Sequence, residues 1–350
     1  MWVMTSAGSG KAGRRTGRTA QAVFYLCILG APLCLMLFSV FLGRYPISLR
    51  DAAGILVSPL TGQAVDPTQL SVILYVRLPR IILGALVGGS LAVSGAAFQG
   101  LFRNPLVSSG MLGVSSGAGF GAALALILFS DFFYVYPFSF GFGLLAVVLC
   151  FFIGRLTAST QAITLVLGGV IVGSVFSALI SFIKYAADPF DELPAIVFWL
   201  MGSLSRADFP QIAAAGVPMV LGAAGLFMIR WRLNVLAMGD KQARSLGLNV
   251  TAHRVFIIIC ATMATAGAVC VSGVIGWVGL VVPHMGRMII GNNNRELIPA
   301  AFSMGACFLI IVDDISRLIT SSEMPLGILT ALIGGPFFIY LLKKTRGKEW

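Results

Sequence analysis

The segment RWRLNVLAMGDKQARSLGLNVTAHR, residues 230–254, is the one long polar interruption in a chain otherwise made of apolar runs. It carries five Lys or Arg residues and a single acidic residue, Asp240. Hydrophobic residues make up 58% of the chain and charged residues only 11%. Because a soluble domain of this length needs more charge to cover its surface, the composition predicts a polytopic membrane protein. Residues 230–254 then form a water-exposed surface that a partner outside the bilayer could contact.

The net charge of +11 does not indicate nucleic-acid binding, since no basic domain of sufficient size lies outside the apolar runs. A signal that orients the chain in the membrane explains the charge better. The 41 glycines fit closely packed membrane helices. The cysteines lie in apolar runs without a Cys-x-x-Cys pair, so we interpret them as small buried apolar residues. They are Cys27, Cys34, Cys150, Cys260, Cys270 and Cys307.

Uncharged runs long enough to cross about 30 Å of hydrocarbon occur along the whole chain. They cover residues 20–42, 81–102, 106–130, 132–154, 156–183, 209–229, 255–286, 297–312 and 324–342. The first run is too long for the apolar region of a cleaved signal peptide, so it predicts a first spanning helix. Residues 193–205 are also uncharged but too short to span, and they predict an interfacial or partly inserted helix.

The 32-residue run 255–286 decides the number of crossings. If it crosses twice, the basic N- and C-terminal tails share one side, as the positive-inside rule favours. Ten spans then place 17 Lys or Arg and three acidic residues inside, against seven and ten outside. The predicted fold class is therefore an all-α polytopic membrane protein with ten transmembrane helices and both termini cytoplasmic. A turn near residues 274–277 would separate the two passes of the long run.

This topology predicts one transmembrane domain, residues 20–345, between cytoplasmic tails at 1–19 and 346–350. A weak internal echo accompanies it. The triplet Val-Ser-Gly occurs at 93–95 and again at 271–273, and each copy precedes a proline by ten residues. The two copies would run in opposite directions through the membrane, which leaves both an inverted repeat and chance open.

The segment RLPRIILGALVGGSLAVSGAAFQGLFRNPLVSSGMLGVSSGAGFG, residues 77–121, resembles the first conserved block of FecCD-type permeases. These are the membrane subunits of ABC importers for iron-siderophores, haem, cobalamin and related metal chelates. Further blocks resemble the family in its own order: FWLMGSLS (198–205), GDKQARSLGLNV (239–250), GWVGLVVPHMGRMIIG (276–291) and MPLGILTALIGGPFFIYLL (324–342). The resemblance covers residues 20–345 and implies the type II ABC importer permease fold, with ten helices per subunit and a dimer.

The resemblance also implies partners: a second permease subunit, which makes a homodimer, a cytoplasmic ABC ATPase dimer and an extracytoplasmic substrate-binding protein. The chain contains no GxxxxGK[ST] phosphate loop, so ATP hydrolysis has to come from another subunit. Asp240 is suited to cap a short helix and Gly247 to end it in a left-handed conformation. By resemblance this is the coupling helix. The ATPase-coupling residues are Asp240, Ala243, Arg244, Ser245, Leu246 and Gly247. An ordinary basic inner loop is the alternative.

Arg77 and Arg80 fall at the predicted outer surface, where positive charge is not expected. They could anchor a helix end at the membrane surface, or dock acidic residues of a substrate-binding protein, which suits the forked guanidinium. The resemblance favours docking and adds Arg317 on the same face. Asp313 and Asp314 could instead neutralise Arg317 locally.

Asn104-Pro105-Leu106 predicts a turn at the inner end of the second span. By resemblance, Asn104 and Leu106 lie near an inner gate, together with Ser159 and Thr160. The pathway should be lined by small, weakly polar residues, among them Gly169 and Ser174, although each is more often a packing residue. His253 and His284 stand near no acidic cluster, so we expect no metal site and no cofactor.

Two other function classes fit less well. A proton-coupled carrier usually needs ionisable groups within its spans, and these runs are uncharged. An intramembrane enzyme needs converging catalytic groups, which two isolated histidines do not supply. We therefore expect a non-enzymatic, multi-pass permease in the plasma membrane of a prokaryote that imports an iron(III)-siderophore or related metal chelate. Haem, cobalamin and molybdate remain alternatives, because a wide passage leaves little trace of its cargo in the sequence.

Overall fold

The computed structural model describes residues 12–61, 65–156, 162–320 and 322–344, and these parts contain helices but no strand. The first helices are α1 (Ala12–Phe41), α2 (Leu49–Thr61), α3 (Pro67–Ser71), α4 (Leu78–Phe102), α5 (Val114–Leu128), α6 (Val135–Leu156) and α7 (Ala162–Ala186). The later ones are α8 (Glu192–Met201), α9 (Phe209–Ala237), α10 (Asp240–Ser245), α11 (Val250–Ser272), α12 (Val278–Ile290), α13 (Asn294–Ile319) and α14 (Leu326–Lys344). A π-helical turn, Val72–Arg77, joins α3 to α4.

Every predicted span contains a helix or part of one, and the run 255–286 contains parts of two, α11 and α12. Seven helices in the described parts of the chain are long and apolar enough to cross a membrane on their own. The apolar parts of α5, α12 and α14 are shorter than these seven helices. The all-α membrane fold is thus confirmed, whereas ten full crossings remain a prediction. The short run at 193–205 forms α8, a helix of ten residues.

Helix α4 lies at the centre of the bundle, and nearly all of its residues are buried. It packs against α9, α11, α12 and α13. Glycines permit this density: a Cβ on Gly88 would collide with the carbonyl oxygen of Gly305 on α13, and a Cβ on Gly95 with that of Gly279 on α12. Backbone contact of this kind is typical of membrane helices, in which small residues let two helices approach closely.

The polar segment 230–254 is not one loop. Helix α9 continues through Ala237 and α11 begins at Val250, so only residues 238–249 leave the two long helices. The basic residues Arg230 and Arg232 extend α9 beyond its apolar part, because straight-chain charged residues are good helix formers in water. The sequence located the polar connection between two long helices but overestimated its length.

The turn predicted at 274–277 is confirmed, since α11 ends at Ser272 and α12 begins at Val278. Trp277, just before α12, has φ of +69°, which is unusual for a bulky residue. The inverted repeat suggested by the two Val-Ser-Gly triplets is not supported. Gly95 lies inside α4 whereas Gly273 ends α11, so the two copies occupy different structural positions. The triplets therefore give no support to an inverted repeat.

Candidate coupling surface and arginine cluster

Helix α10 has six residues and follows a sharp bend after α9. Its N-cap is Gly239, with φ of +117°, and no side chain caps the helix. The prediction that Asp240 is the cap is therefore wrong. Asp240 is the first helical residue, and its carboxylate accepts two hydrogen bonds of 3.1 Å from Arg254 on α11. An acidic group in the first turn also interacts favourably with the helix dipole.

The C-terminus of α10 ends as predicted, at Gly247 with φ of +80°. The Gly247 amide donates to the Arg244 carbonyl at 2.9 Å, and the Leu248 amide donates to the Ala243 carbonyl at 3.0 Å. This pair of hydrogen bonds is the Schellman motif, which satisfies the last carbonyls of a helix. Leu248 also packs against the apolar core, so the motif fixes α10 to the bundle.

The exposed surface of α10 is smaller than the predicted coupling set. Ala243 is fully buried, which contradicts its predicted position facing a partner; its methyl group packs in the core instead. Arg244, Ser245, Leu246 and Gly247 are exposed, and Leu246 is 62% exposed although it is apolar. We call these four residues the coupling surface.

Several helix ends meet beside α10. On α9, Asn234 donates to the side chain of Asn293 at 2.7 Å and accepts from the Asn294 backbone amide at 2.8 Å. Arg103, the left-handed C-cap of α4, lies next to Gly239. The short helix is thus connected to α9 and α11 directly, the bend before it adjoins the end of α4, and α9 in turn contacts the start of α13.

The predicted gate residues lie in two places. Asn104 accepts from the Leu106 amide at 2.9 Å, which forms the predicted turn after α4, and Leu106 is 50% exposed. Gly169 and Ser174 lie on α7: Gly169 packs against the backbone of Met111 and Leu112, and Ser174 is exposed and donates to the Val170 carbonyl. Ser159 and Thr160 lie outside the described residues.

At the opposite end of the bundle, the three arginines predicted to dock a protein are buried. Arg80 is 5% exposed and donates to both carboxylate oxygens of Asp313 at 2.8–3.0 Å. It also donates to both oxygens of Glu323 at 2.9–3.0 Å. The Glu323 side chain remains one-third exposed. Arg80 therefore joins α4 to α13 and to the segment before α14.

Arg317 is neutralised locally, the alternative that the sequence left open. It forms ion pairs with Asp313 at 3.2 Å and with Asp314. Arg77, which is 3% exposed, donates to the carbonyl oxygen of Val40 at 2.7 Å. We call Arg77, Arg80 and Arg317, with the carboxylates of Asp313, Asp314 and Glu323, the arginine cluster. Sequence reasoning missed Glu323 because nothing local relates it to Arg80.

The two regions lie at opposite ends of helix α13. Helix α13 begins at Asn294, which Asn234 of α9 contacts, and carries Arg317 near its other end. The 23 residues between them span about 35 Å at 1.5 Å per residue, which exceeds the roughly 30 Å of a hydrocarbon core. Helix α13 therefore connects the region of Asn294 to the arginine cluster without a break.

A cavity of about 680 Å³ lies beside the arginine cluster. Its charged lining residues are Asp191, Glu192, Glu323 and Arg206, and Trp199 and Phe198 add aromatic surface. Since Glu323 is paired with Arg80, the remaining charge is predominantly negative. The cavity connects α8 with the turn between α11 and α12, because both Gly202 and Gly273 line it.

The profile of the FecCD transport family matches residues 31–344, which is most of the chain. This chain belongs to the FecCD transport family. Members are permease subunits of ABC importers that work with ATPase and substrate-binding partners, and this FecCD protein is accordingly a multi-pass membrane protein of a prokaryotic importer.

FecCD relatives with different cargoes are similar to this chain. The molybdate import system permease protein MolB of Haemophilus influenzae is 39% identical over 91% of this chain and 96% of its own length. A probable iron chelatin transport system permease protein of Helicobacter pylori is 41% identical over 79% of this chain and 83% of its own. The hemin transport system permease protein HmuU of Yersinia pestis is 38% identical over 78% and 83%.

A solved structure supports the same FecCD architecture. It is described as an inward-facing conformation of a metal-chelate type ABC transporter, and it superposes with a TM-score of 0.83 at 35% identity. The match covers 93% of this chain and 99% of that one. The helical arrangement described above is therefore that of an ABC importer permease.

Proposed function

We propose that this FecCD protein imports an iron(III)-siderophore or a related metal chelate, driven by an ATPase that docks on the coupling surface. The observation that carries the proposal is the construction of α10. Its exposed tip, Arg244–Gly247 in sequence, is attached to the bundle by the Schellman motif at one end and by the Asp240–Arg254 ion pair at the other. An element that transmits force has to be rigid, and both ends of α10 are fixed.

The direction of transmission follows from the neighbours of α10. A displacement of this helix would act on α11 through Arg254 and on α9 through the bend at Gly239. The Asn234–Asn294 hydrogen bonds then connect α9 to α13, whose other end holds the arginine cluster. We propose this series of contacts as the route between ATP hydrolysis and the opposite membrane surface.

A second copy of the chain is the partner we propose for α7 and α14. Both helices expose large apolar residues, among them Leu167 and Ile171 on α7 and Leu332 and Ile339 on α14. Ser174, also on α7, is exposed as well. A passage between two copies would then be lined by α7, as the small residues of this helix led us to expect.

For binding-protein docking we propose a modified role for the arginine cluster. Because Arg77, Arg80 and Arg317 already have partners within the chain, an acidic group of a binding protein has to displace one of them. Glu323 is the accessible partner, since its side chain is one-third exposed whereas Asp313 is buried. Release of Glu323 would free the segment before α14, where the Leu326 amide is bonded to the Gly202 carbonyl at 2.9 Å.

The cargo proposal rests on the cavity beside that segment. Asp191 and Glu192 give it negative charge, which attracts cationic chelates and opposes a small oxyanion. The similarity to MolB over nearly the whole chain favours molybdate as the second candidate. The two candidates differ in charge and size, so one experiment separates them.

The test is uptake into proteoliposomes that contain the permease, its ATPase and its binding protein. Ferric siderophore, haem, cobalamin and molybdate are supplied separately, with ATP or a non-hydrolysable analogue inside the vesicles. We expect ATP-dependent uptake of a metal chelate. Selective uptake of molybdate would show that molybdate, and not a metal chelate, is the cargo. Uptake driven by an ion gradient without ATP would refute the ABC mechanism for this chain.

A further inference from the structure

An apolar groove of about 880 Å³ opens between α6, α9 and α11, and at Arg206 it adjoins the cavity described above. Phe140 from α6, Val217 and Leu221 from α9, and Met263 from α11 line it. Val217 and Leu221 are each 57% exposed, so the described residues leave this surface uncovered. All three helices are candidate membrane spans, and the occupant of the groove is therefore in contact with the bilayer.

The length of the groove matches one leaflet. Its lining residues on α9 extend from Asp208 to Leu221, which is about 20 Å along a helix at 1.5 Å per residue. Half of the hydrocarbon core measures about 15 Å. An acyl chain that enters beside Asp208 would therefore be covered over most of its length, with its headgroup at the membrane surface.

The mouth of the groove is polar and carries both signs of charge. The Arg206 guanidinium lies 3.8 Å from the centre of the Phe132 ring, is exposed, and has no ion pair within the described part of the chain. Asp208 caps α9 by accepting from the Gln211 amide at 2.7 Å. The Gln211 side-chain nitrogen donates to Asp208 at 3.2 Å, so its carbonyl oxygen points elsewhere.

That oxygen, Oε1 of Gln211, is buried and has no hydrogen-bond partner among the described residues. Burial of an unpaired acceptor is unfavourable, and such atoms in native proteins usually have a ligand or water. The mouth thus combines the guanidinium of Arg206, which has no ion pair among the described residues, with the unpaired Gln211 oxygen and the Asp208 carboxylate. Both lie within five residues of Arg206. The mouth is complementary to a headgroup with an anionic phosphate and a cationic hydrogen-bond donor.

We propose that the groove binds one phosphatidylethanolamine molecule from the leaflet at the Arg206 end. Arg206 would bind the phosphate, the ammonium group would donate to Gln211 and Asp208, and one acyl chain would lie along Val217 and Leu221. Phosphatidylcholine offers no N–H donor to the unpaired oxygen, and phosphatidylglycerol offers no positive charge to Asp208. The site therefore distinguishes headgroups as well as holding a chain.

Native mass spectrometry of the full-length protein tests this proposal. The protein is delipidated in detergent and titrated with dioleoyl-phosphatidylethanolamine, -choline or -glycerol. We expect one tightly bound ethanolamine lipid per chain and about tenfold weaker binding of the other two, the fold-change that about 1.4 kcal/mol of lost hydrogen bonding produces. Arg206→Gln should weaken ethanolamine-lipid binding by a similar factor.

A matched pair of substitutions locates the lipid. Ala214 lines the groove, whereas Ala213, also exposed on α9, does not. Ala214→Trp should abolish the tight site, and Ala213→Trp should leave it intact. Equal binding of the three lipids, or equal effects of the two tryptophans, would overturn the proposal. So would a loss of dimer in Ala214→Trp alone, since the groove would then be covered by a second copy of the chain.

Discussion

Arg80 and Asp313 form a bidentate ion pair in which both side chains are almost entirely buried, 6% and 4% exposed. The pair joins the centre of the bundle, α4, to α13. Loss of Arg80 removes the arginine partner of Glu323 and one of the two arginine partners of Asp313. Breaking a largely buried ion pair in this way is strongly destabilising.

Arg80→Gln should therefore destabilise the folded protein by about 3 to 5 kcal/mol. A thermal unfolding curve of the detergent-solubilised protein measures the change. Arg50→Gln serves as the control, because Arg50 is an exposed arginine on α2 at the same predicted surface. An equal shift in both variants would contradict a specific contribution of the buried pair.

Glu323→Gln should strengthen docking of the binding protein, because it weakens the intramolecular competitor for Arg80. We expect a several-fold lower Kd, measured by surface plasmon resonance on the permease in nanodiscs, since an exposed or half-exposed charge pair contributes about 1 kcal/mol. Asp191→Asn is the matched control: Asp191 lines the same cavity but forms no ion pair with an arginine in the described residues. Unchanged or weaker binding in Glu323→Gln would exclude displacement of Glu323 as the docking step.

Gly247→Val should uncouple ATP hydrolysis from uptake while the protein remains in the membrane. A Cβ at Gly247 meets no atom within 4 Å, so the cost arises from the left-handed backbone alone, about 1 kcal/mol or more. Uptake and ATPase activity are measured together in proteoliposomes. Gly247→Asn should retain coupling, because asparagine tolerates this conformation.

Gly291→Val is the second control for that experiment. Gly291 also has positive φ and empty space around it, but it ends α12 rather than α10. If Gly291→Val uncoupled transport as strongly as Gly247→Val, backbone strain in general would explain the result, and the coupling role of α10 would lose its support.

Gly95→Val should prevent α4 from packing against α12, because the new side chain would occupy the position of the Gly279 carbonyl group. Overpacking of a rigid core costs about 1–3 kcal/mol or more. We expect loss of the monodisperse peak in fluorescence-detected size-exclusion chromatography. Gly141→Val should behave like the unsubstituted protein, since a Cβ at Gly141 on α6 meets nothing within 4 Å; a normal peak for Gly95→Val would disprove the close approach.

Features that depend on local sequence were predictable. Apolar runs located the long helices, and Gly247 indicated the end of α10 because only a residue that tolerates positive φ fits there. Asp240 was predicted to be the N-cap but is the first residue of the helix. An acidic residue suits both positions, and here Arg254 binds its carboxylate in the first turn.

Contacts between distant parts of the chain were not predictable. The sequence showed three arginines at one surface but not that carboxylates from α13 and from the segment before α14 enclose Arg80. Burial of Ala243 was not predictable for the same reason. The side of a six-residue helix that faces the core depends on the helices packed around it. Charge pattern located these residues, and packing determined what they contact.

The separation of Arg80 from Asp313 along the chain, 233 residues, has a consequence for biosynthesis. Chains are made from the N-terminus, so α4 enters the membrane long before the ribosome reaches α13. During that interval the Arg80 guanidinium has to remain hydrated, and α4 cannot take its final place at the centre of the bundle. A chain that stops before α13 therefore exposes an unpaired arginine, which gives cellular quality control a means of recognising incomplete molecules.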